Sequence, residues 1–330
     1  MAKQRIVYLD LVKLFTIYLV ILGHVIAMMV NGYSVGEKLY SFIYSFHMPL
    51  FMLLSGYFVS SRSLEMPFLV LLKTKAQQLL LPVVTCTVIC CIYLFFFRGL
   101  VNYRDEIIGN SWFLKTLFVY YVLFYLLKRT NVNDILMLFG SCAILFLMPH
   151  ASSLQVNLLW PYFVGGYLMR RYDIISKVSF SWKFALLFLL LFGCTFMMQR
   201  KLGIPNYIAI NVDSIQSQWH LILLRYIVAF SGSMTTITLI SMIFKYFENN
   251  AMTKIAKYGQ WTLGVYVLQT ILVANIFPDT LAWYVESEFL LDVVIAPALS
   301  ITFLLICLLF ICVLSRNKTL DLFFLGGQYK

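Results

Sequence analysis

The amino-acid sequence predicts an all-α fold, a polytopic bundle of about ten transmembrane helices with both termini in the cytoplasm. Composition is the first reason: hydrophobic residues make up 62% of the 330-residue chain and charged residues only 12%. Soluble domains are roughly 45–50% apolar and about 25% charged. The second reason is that apolar stretches of about 20 residues recur along the whole length, as a hydrocarbon core about 30 Å thick requires. The third is the uneven distribution of lysine and arginine between alternate loops.

Brief polar connections separate the apolar segments and leave no room for a soluble domain, so we expect residues 1–330 to form a single integral-membrane domain. The predicted spans cover residues 9–31, 41–60, 78–97, 112–128, 134–149, 155–169, 181–199, 219–244, 261–277 and 289–314. The first segment is too long for a cleaved signal peptide and carries ionisable residues, so we expect it to be the first transmembrane helix.

The basic residues orient these spans. Placing the N-terminus inside assigns 17 of the 25 Lys and Arg residues to inner segments and six to outer segments. Because basic residues collect in cytoplasmic loops, this split predicts that both termini are cytoplasmic. It also accounts for the formal net charge of +11, so we expect no nucleic-acid partner. All seven cysteines fall within apolar segments, and none has a metal-type spacing with a histidine, so we expect neither disulfides nor a metal site.

The first span holds the densest group of ionisable side chains, and such groups are costly inside a bilayer. Asp10 and Lys13 are three residues apart and therefore neighbours on one helix face. Lys13 and His24 are eleven apart, which places them on the same face with an axial separation of about 16 Å. The structural alternatives are a Lys13 that snorkels to the headgroups and a His24 that is hydrogen-bonded between packed helices. The presence of all three groups on one face favours a functional role.

Four further polar side chains lie toward the predicted outer side and are candidates for binding a substrate: His47, Trp112, Lys115 and Arg225. Each has a structural alternative. These alternatives are a histidine at headgroup level, a tryptophan of the aromatic belt, a snorkelling lysine and an arginine paired with another helix. Arg225 is always charged and needs a carboxylate, a phosphate or water.

Several motifs, taken in chain order, resemble the acyltransferase-3 family of integral-membrane O-acyltransferases, in the style of its fucose 4-O-acetylase-like branch. The family pattern of a basic residue, ten intervening residues and a histidine is matched by Lys13 and His24. Further similar segments are FHMPLFMLLSGYF at 46–58, Trp-Phe-Leu at 112–114 and YGQWTLGVYVLQ at 258–269. The last segment ends in Gln269, where family members often have histidine. The resemblance covers essentially the whole chain.

The resemblance implies transfer of an acyl group, usually acetyl, from cytoplasmic acyl-CoA to a carbohydrate hydroxyl. Acetyl-CoA is then the donor substrate, and His24 is the catalytic residue, either as a general base or as a covalent acyl carrier. Lys13, with Asp10 beside it, would hold a CoA phosphate. The expected partners are a carbohydrate acceptor, which is on the cell surface or linked to a lipid, and membrane lipids. A homo-oligomer is also compatible with the sequence. The expected location is the bacterial inner membrane.

Two alternative functions fit the same spans. The first is a transporter or flippase for a lipid-linked sugar, although such proteins often have repeated halves and the sequence has no internal repeat. The second stays within the family and replaces the acetyl donor by a succinyl or longer acyl donor. An inactive sensor or scaffold is disfavoured by the intact spacing of Lys13 and His24.

Overall fold

The computed structural model describes residues 6–29, 37–99, 107, 109, 111–130, 132–147, 154–208, 210–276 and 287–328. Within these ranges the regular structure is helical and there is no β-strand. The predicted all-α fold is therefore confirmed.

Each of the ten predicted apolar segments overlaps a helix. The α-helices are, in chain order, α1 (Val7–Met29), α2 (Glu37–Tyr57), α3 (Ser61–Glu65), α4 (Phe68–Lys75), α5 (Leu81–Arg98), α6 (Trp112–Arg129), α7 (Ser141–Leu147), α8 (Val156–Arg171), α9 (Ile174–Val178), α10 (Trp182–Lys201), α11 (Val212–Phe247), α12 (Asn250–Ala256), α13 (Thr262–Ile271), α14 (Glu288–Leu290), α15 (Ala296–Leu314) and α16 (Lys318–Leu325). Short π-helical stretches lie at Ala76–Leu80, Leu136–Gly140, Leu272–Ile276 and Leu291–Ile295, and a 3₁₀ turn spans Lys257–Gln260.

Among the described residues, six helices are long and apolar enough to cross a membrane by length and composition. They are Val7–Met29, Glu37–Tyr57, Phe68–Phe97, Trp182–Lys201, Val212–Phe247 and Glu288–Leu314. Two shorter apolar helices cover Leu136–Leu147 and Thr262–Ile276. The prediction of an integral membrane protein is confirmed, whereas the count of ten spans and the cytoplasmic position of both termini stay predictions.

The helices form two compact units that interleave along the sequence. The first unit comprises Met1–Thr16, Phe42–Glu65 and Leu123–Gln260, and the second comprises Ile17–Ser41, Met66–Val122 and Trp261–Lys330. Helix α1 begins in the first unit and continues into the second. That residues 1–330 act as a single domain stays a prediction.

In the first unit, α2 and α8 touch backbone to backbone through two glycines. A Cβ atom added at Gly56 would lie 1.8 Å from the carbonyl oxygen of Phe163, and one added at Gly166 would lie 1.9 Å from that of Leu53. Any larger side chain would push the two helices apart. Small residues are the usual means of bringing membrane helices into such close contact.

Two prolines inside helices of the first unit leave backbone carbonyls without their helical partner, because proline has no N–H. Pro49 lies inside α2 and Pro161 inside α8. The carbonyls four residues earlier belong to Ser45 and Asn157. Consecutive residues of α11 supply the missing donors: Arg225 Nη1 donates to Ser45 O at 2.6 Å and the Tyr226 hydroxyl to Asn157 O at 3.3 Å.

In the second unit, the C-terminal helix α16 packs against α5 and α13. Helix α16 ends at Gly326, whose φ of 69° is in the left-handed region that glycine adopts readily. A Cβ atom there would lie 2.5 Å from Gln78 O. Lys75 binds the same segment, since its Nζ donates to Gln78 Oε1 at 3.2 Å and lies 4.0 Å from the Tyr121 ring centroid. The close approach of Gly326 to Gln78 packs the end of α16 against the π-helical segment between α4 and α5, and Lys75 stabilises that segment.

Candidate active site

The ion pair predicted on the first helix is present. Lys13 Nζ lies 2.5 Å from Asp10 Oδ1, and the carboxylate is almost fully buried while the lysine is partly exposed. The ammonium also lies 4.5 Å from the centroid of the Phe58 ring, which follows the last residue of α2. Such a cation–π contact is worth roughly 0.5–1 kcal/mol at exposed sites and more where water is excluded. Lys13 is therefore held in place by its own helix and by the end of α2.

The backbone at Asp10 is fixed by a glycine from the late motif at 258–269. Gly259, in the 3₁₀ turn before α13, lies so close that an added Cβ would be 1.9 Å from Asp10 O. Only a residue without a side chain can make this contact. The sequence analysis used this motif for the family resemblance alone, and the structure shows that its glycine sets the position of the Asp10–Lys13 pair.

His24 lies on α1 in the second unit and is partly exposed. No residue in the described part of the chain hydrogen-bonds to its imidazole. Among the described residues, His24 therefore has no helix–helix hydrogen bond of the kind that was its structural alternative. Ile17 and Val20 lie on the helix stripe between Lys13 and His24, and both are buried. Other residues pack over this middle part of the stripe, so its partly exposed polar side chains are Lys13 at one end and His24 at the other.

Arg225 is 1% exposed, and backbone carbonyls satisfy its charge. Besides the bond to Ser45 O, its Nε donates to Asn206 O at 2.7 Å and its Nη2 to Tyr44 O at 3.3 Å. These contacts match the structural alternative, an arginine that binds another helix. A contact with substrate stays a prediction.

His47 follows Ser45 by two residues on α2 and is 2% exposed. Its Nδ1–H donates to Ile43 O at 2.8 Å, since a carbonyl can only accept. The ring also meets the Tyr44 ring edge to face, with centroids 4.7 Å apart. His47 is thereby anchored to its own helix. Its predicted role toward a substrate is untested.

Trp112 and Lys115 lie together at the start of α6 in the second unit. Both are partly exposed. Lys115 Nζ donates to Ile107 O at 2.5 Å, and Phe113 between them meets the ring of Tyr266 at 5.5 Å between centroids. The Trp-Phe-Leu motif therefore begins with a partly exposed tryptophan followed by a buried phenylalanine.

Gln269 ends the late motif on α13 and is fully buried. Its Nε2 donates to Thr270 Oγ1 at 3.0 Å, while no described residue donates a hydrogen bond to its Oε1. Close by, Asn275 Nδ2 donates to Thr270 O at 2.7 Å, where the helix passes into its π-helical end. The second unit therefore contains two polar side chains of interest, the buried Gln269 on α13 and the partly exposed His24 on α1.

Comparison with models of protein families shows which family the chain belongs to. A family model described as an acyltransferase domain, of the acyltransferase-3 type, matches residues 6–315. The chain belongs to this acyltransferase family. The resemblance found in the motifs is therefore confirmed over nearly the whole sequence.

Two curated relatives of this acyltransferase-family chain carry the name nodulation protein NolL. The protein from Sinorhizobium fredii is 31% identical over 183 residues, which is 52% of this chain and 50% of the relative. The protein from Mesorhizobium japonicum is 26% identical over 287 residues, 81% of this chain and 76% of the relative. The chain thus matches about half the length of the first relative. No solved structure matches.

The two units divide the predicted site residues of this acyltransferase-family member between them. The first unit holds Asp10, Lys13, His47 and Arg225, and the second holds His24, Trp112 and Lys115. Helix α1 is the element that carries residues of both groups. Within the described ranges, no three His, Cys, Asp or Glu side chains come together as metal ligands.

Proposed function

We propose that this chain transfers an acyl group, acetyl in the first instance, from cytoplasmic acyl-CoA to a hydroxyl of a cell-surface or lipid-linked carbohydrate. The site of action is the bacterial inner membrane. The observation that carries the proposal is the state of His24. Lys13 and His24 match the family spacing on one helix, and His24 is partly exposed and makes no hydrogen bond with any described residue. An imidazole used only for packing inside a membrane would be hydrogen-bonded.

His24 would act either as a general base or as a covalent acyl carrier. As the base, one ring nitrogen takes the proton of the sugar hydroxyl, and the sugar oxygen bonds to the thioester carbonyl carbon. The carbon–sulfur bond then breaks, and the CoA thiolate leaves with the proton returned from the imidazolium. In the covalent route, the imidazole nitrogen attacks the thioester and the carbon–sulfur bond breaks with release of the CoA thiolate. The sugar oxygen then bonds to the acyl carbon, the carbon–nitrogen bond breaks, and the hydroxyl proton passes to the thiolate. Both routes need a neutral imidazole at the start, which suits histidine near neutral pH.

Lys13 would stand at the other end of the donor. Its ammonium is a point charge that suits a phosphate, and helix α1 places it about 16 Å from His24 along the axis. The CoA phosphates would remain near the cytoplasmic face while the thioester reaches the histidine. Asp10 orients the ammonium through the ion pair.

The acceptor would be bound on the outer side. Trp112 and Lys115 are both partly exposed and lie one turn apart on α6, and an indole and an ammonium are groups that can contact a sugar ring and its hydroxyls. His47 and Arg225 hold the proline-containing segment of α2 in shape. We also propose that these two side chains contact the acceptor directly, which binding measurements with the carbohydrate would test.

The test uses the full chain in lipid nanodiscs with radiolabelled acetyl-CoA and carbohydrate from a bacterial cell-surface fraction. Wild-type protein should move label into the carbohydrate and release CoA. CoA is quantified by chromatography, because thiol reagents would also react with the seven free cysteines. Replacing His24 by Ala or by Gln should lower transfer by about a hundredfold or more without changing the unfolding temperature.

The outcomes separate the alternatives. Full transfer by a folded His24→Ala variant would refute the assignment. A transporter would bind or move the sugar without consuming acetyl-CoA, and a family member with another donor would consume succinyl-CoA faster than acetyl-CoA. Label that stays on wild-type protein after rapid denaturation at neutral pH, is released by hydroxylamine and is absent from the His24→Ala variant would select the covalent route over general-base catalysis.

A further inference from the structure

Arg170, in the last turn of α8, has an unusual set of contacts for a basic residue at a helix end. Its Nη1 donates to the carbonyls of Val59 at 2.9 Å and Tyr57 at 3.4 Å. Those carbonyls lie at and just beyond the C-terminal end of α2. One corner of the guanidinium is therefore fixed to the backbone.

The other edge of the same guanidinium is unused within the described ranges. No described residue accepts a hydrogen bond from Nε or Nη2, and no described carboxylate forms an ion pair with Arg170. Nε and Nη2 present two parallel N–H groups, the edge that binds carboxylate or phosphate through two hydrogen bonds. The neighbouring Arg171 differs, because its Nη1 lies 2.6 Å from Asp134 Oδ1. Of the two adjacent arginines, Arg170 is the one prepared for an anion.

Arg170 and Lys13 meet the same short piece of chain in the first unit. Arg170 binds the carbonyls of Tyr57 and Val59, and Lys13 lies over the ring of Phe58 between them. The two cations therefore contact the same three successive residues, Arg170 through the backbone carbonyls of the first and third and Lys13 through the ring of the middle one. Asp10 offsets the charge of Lys13 at 2.5 Å. The Lys13–Asp10 pair carries little net charge. Arg170, which forms no ion pair with a described carboxylate, adds a net positive charge beside it.

We infer that Arg170 binds a phosphate of the acyl-CoA donor beside Lys13. This inference rests on the proposed function, because it takes CoA as the donor. CoA carries a pyrophosphate and a separate ribose phosphate, so more than one cation is required at its nucleotide end. Arg170 binds one phosphate through its free edge, and Lys13 binds another as a point charge.

The test measures equilibrium binding to the full chain in nanodiscs by calorimetry, with three probes. CoA is the whole donor without its acyl group, 3′,5′-ADP contains only nucleotide phosphates, and pantetheine contains none. Arg170→Gln should weaken binding of CoA and of 3′,5′-ADP about tenfold, the loss expected for hydrogen bonds to a charged group. Pantetheine binding should not change. Arg171→Gln is the matched control and should leave all three affinities unchanged.

A merely structural Arg170 would behave differently, because a distorted α2 end would affect all three probes alike. Equal weakening of CoA and pantetheine, or no weakening of either, would overturn the inference while leaving CoA as donor. Wild-type protein that binds neither CoA nor 3′,5′-ADP would overturn the proposed function as well. If the glutamine variant does not fold, Arg170→Lys serves instead, since it keeps the charge and loses the two-pronged edge. It should weaken CoA binding severalfold and spare pantetheine.

Discussion

Replacement of Arg225 by Met should destabilise the protein, and the loss should depend on a proline in another helix. Methionine keeps the length of the side chain and removes its donors. The Ser45 carbonyl would then have neither Arg225 nor a helical N–H, because Pro49 supplies none. The Asn206 carbonyl would also lose its 2.7 Å bond. A buried polar group without a partner costs roughly 1–3 kcal/mol, so two such carbonyls predict a loss of about 2–6 kcal/mol.

The Pro49→Ala variant isolates the contribution of the Ser45 carbonyl. Alanine at this position restores an N–H that can donate to Ser45 O within the helix. In that background the Arg225→Met loss should shrink by about 1–2 kcal/mol, the value of one hydrogen bond. Pro161→Ala is the matched control, because the carbonyl that Pro161 frees takes its bond from Tyr226.

The measurement is the free energy of unfolding in mixed micelles, from titration with a denaturing detergent, for the two single variants and the double variant of each pair. Equal Arg225→Met losses in the wild-type and Pro49→Ala backgrounds would show that the arginine does not act through the freed carbonyl. Coupling of equal size with Pro161→Ala would show a general loosening of the unit. If Arg225 also binds the acceptor, a folded Arg225→Met variant will have a raised acceptor KM with an unchanged KM for acetyl-CoA.

Two glycine positions give further tests. Gly166→Ala should lower the unfolding temperature by several degrees, because the added Cβ would lie 1.9 Å from Leu53 O. The adjacent Gly165→Ala is the control and should have no such effect, because open space surrounds that position. Equal unfolding temperatures for the two variants would argue against the close contact of α2 with α8. Gly259→Ala should displace the backbone of Asp10, which lies 1.9 Å from the added Cβ, and raise the KM for acetyl-CoA severalfold in transfer assays; an unchanged KM would dissociate this glycine from donor binding.

The all-helical, membrane-spanning character could be predicted from the sequence because lipid imposes one rule on every span. A backbone that crosses hydrocarbon must satisfy its own hydrogen bonds, so apolar length alone predicts helices. The Asp10–Lys13 pair was predictable for a similar reason, since both residues lie on one helix and a spacing of three fixes their proximity. These predictions concern residues that are neighbours along the chain.

The contacts between distant segments were not predictable from the sequence. Pro49 signals that a carbonyl is free, but its partner on α11 lies 180 residues from Ser45. Arg170 counted in the sequence only as a cytoplasmic loop charge, and nothing in its local pattern differs from Arg171. The difference arises because Asp134 reaches one arginine and the end of α2 reaches the other. Such pairings depend on how helices pack, which a single sequence does not encode in any local motif.

Helix α1 also constrains how a donor could be selected. If CoA phosphates are held at Lys13 and the thioester reacts at His24, the distance between these points is fixed by about three turns of one continuous helix. That distance is the same for every acyl-CoA, because the acyl group begins only beyond the sulfur. Buried Ile17 and Val20 cover the direct stripe, so the pantetheine arm must pass to one side of them. Discrimination between acetyl and succinyl donors must therefore be made by residues beyond His24, where the acyl chain meets the acceptor.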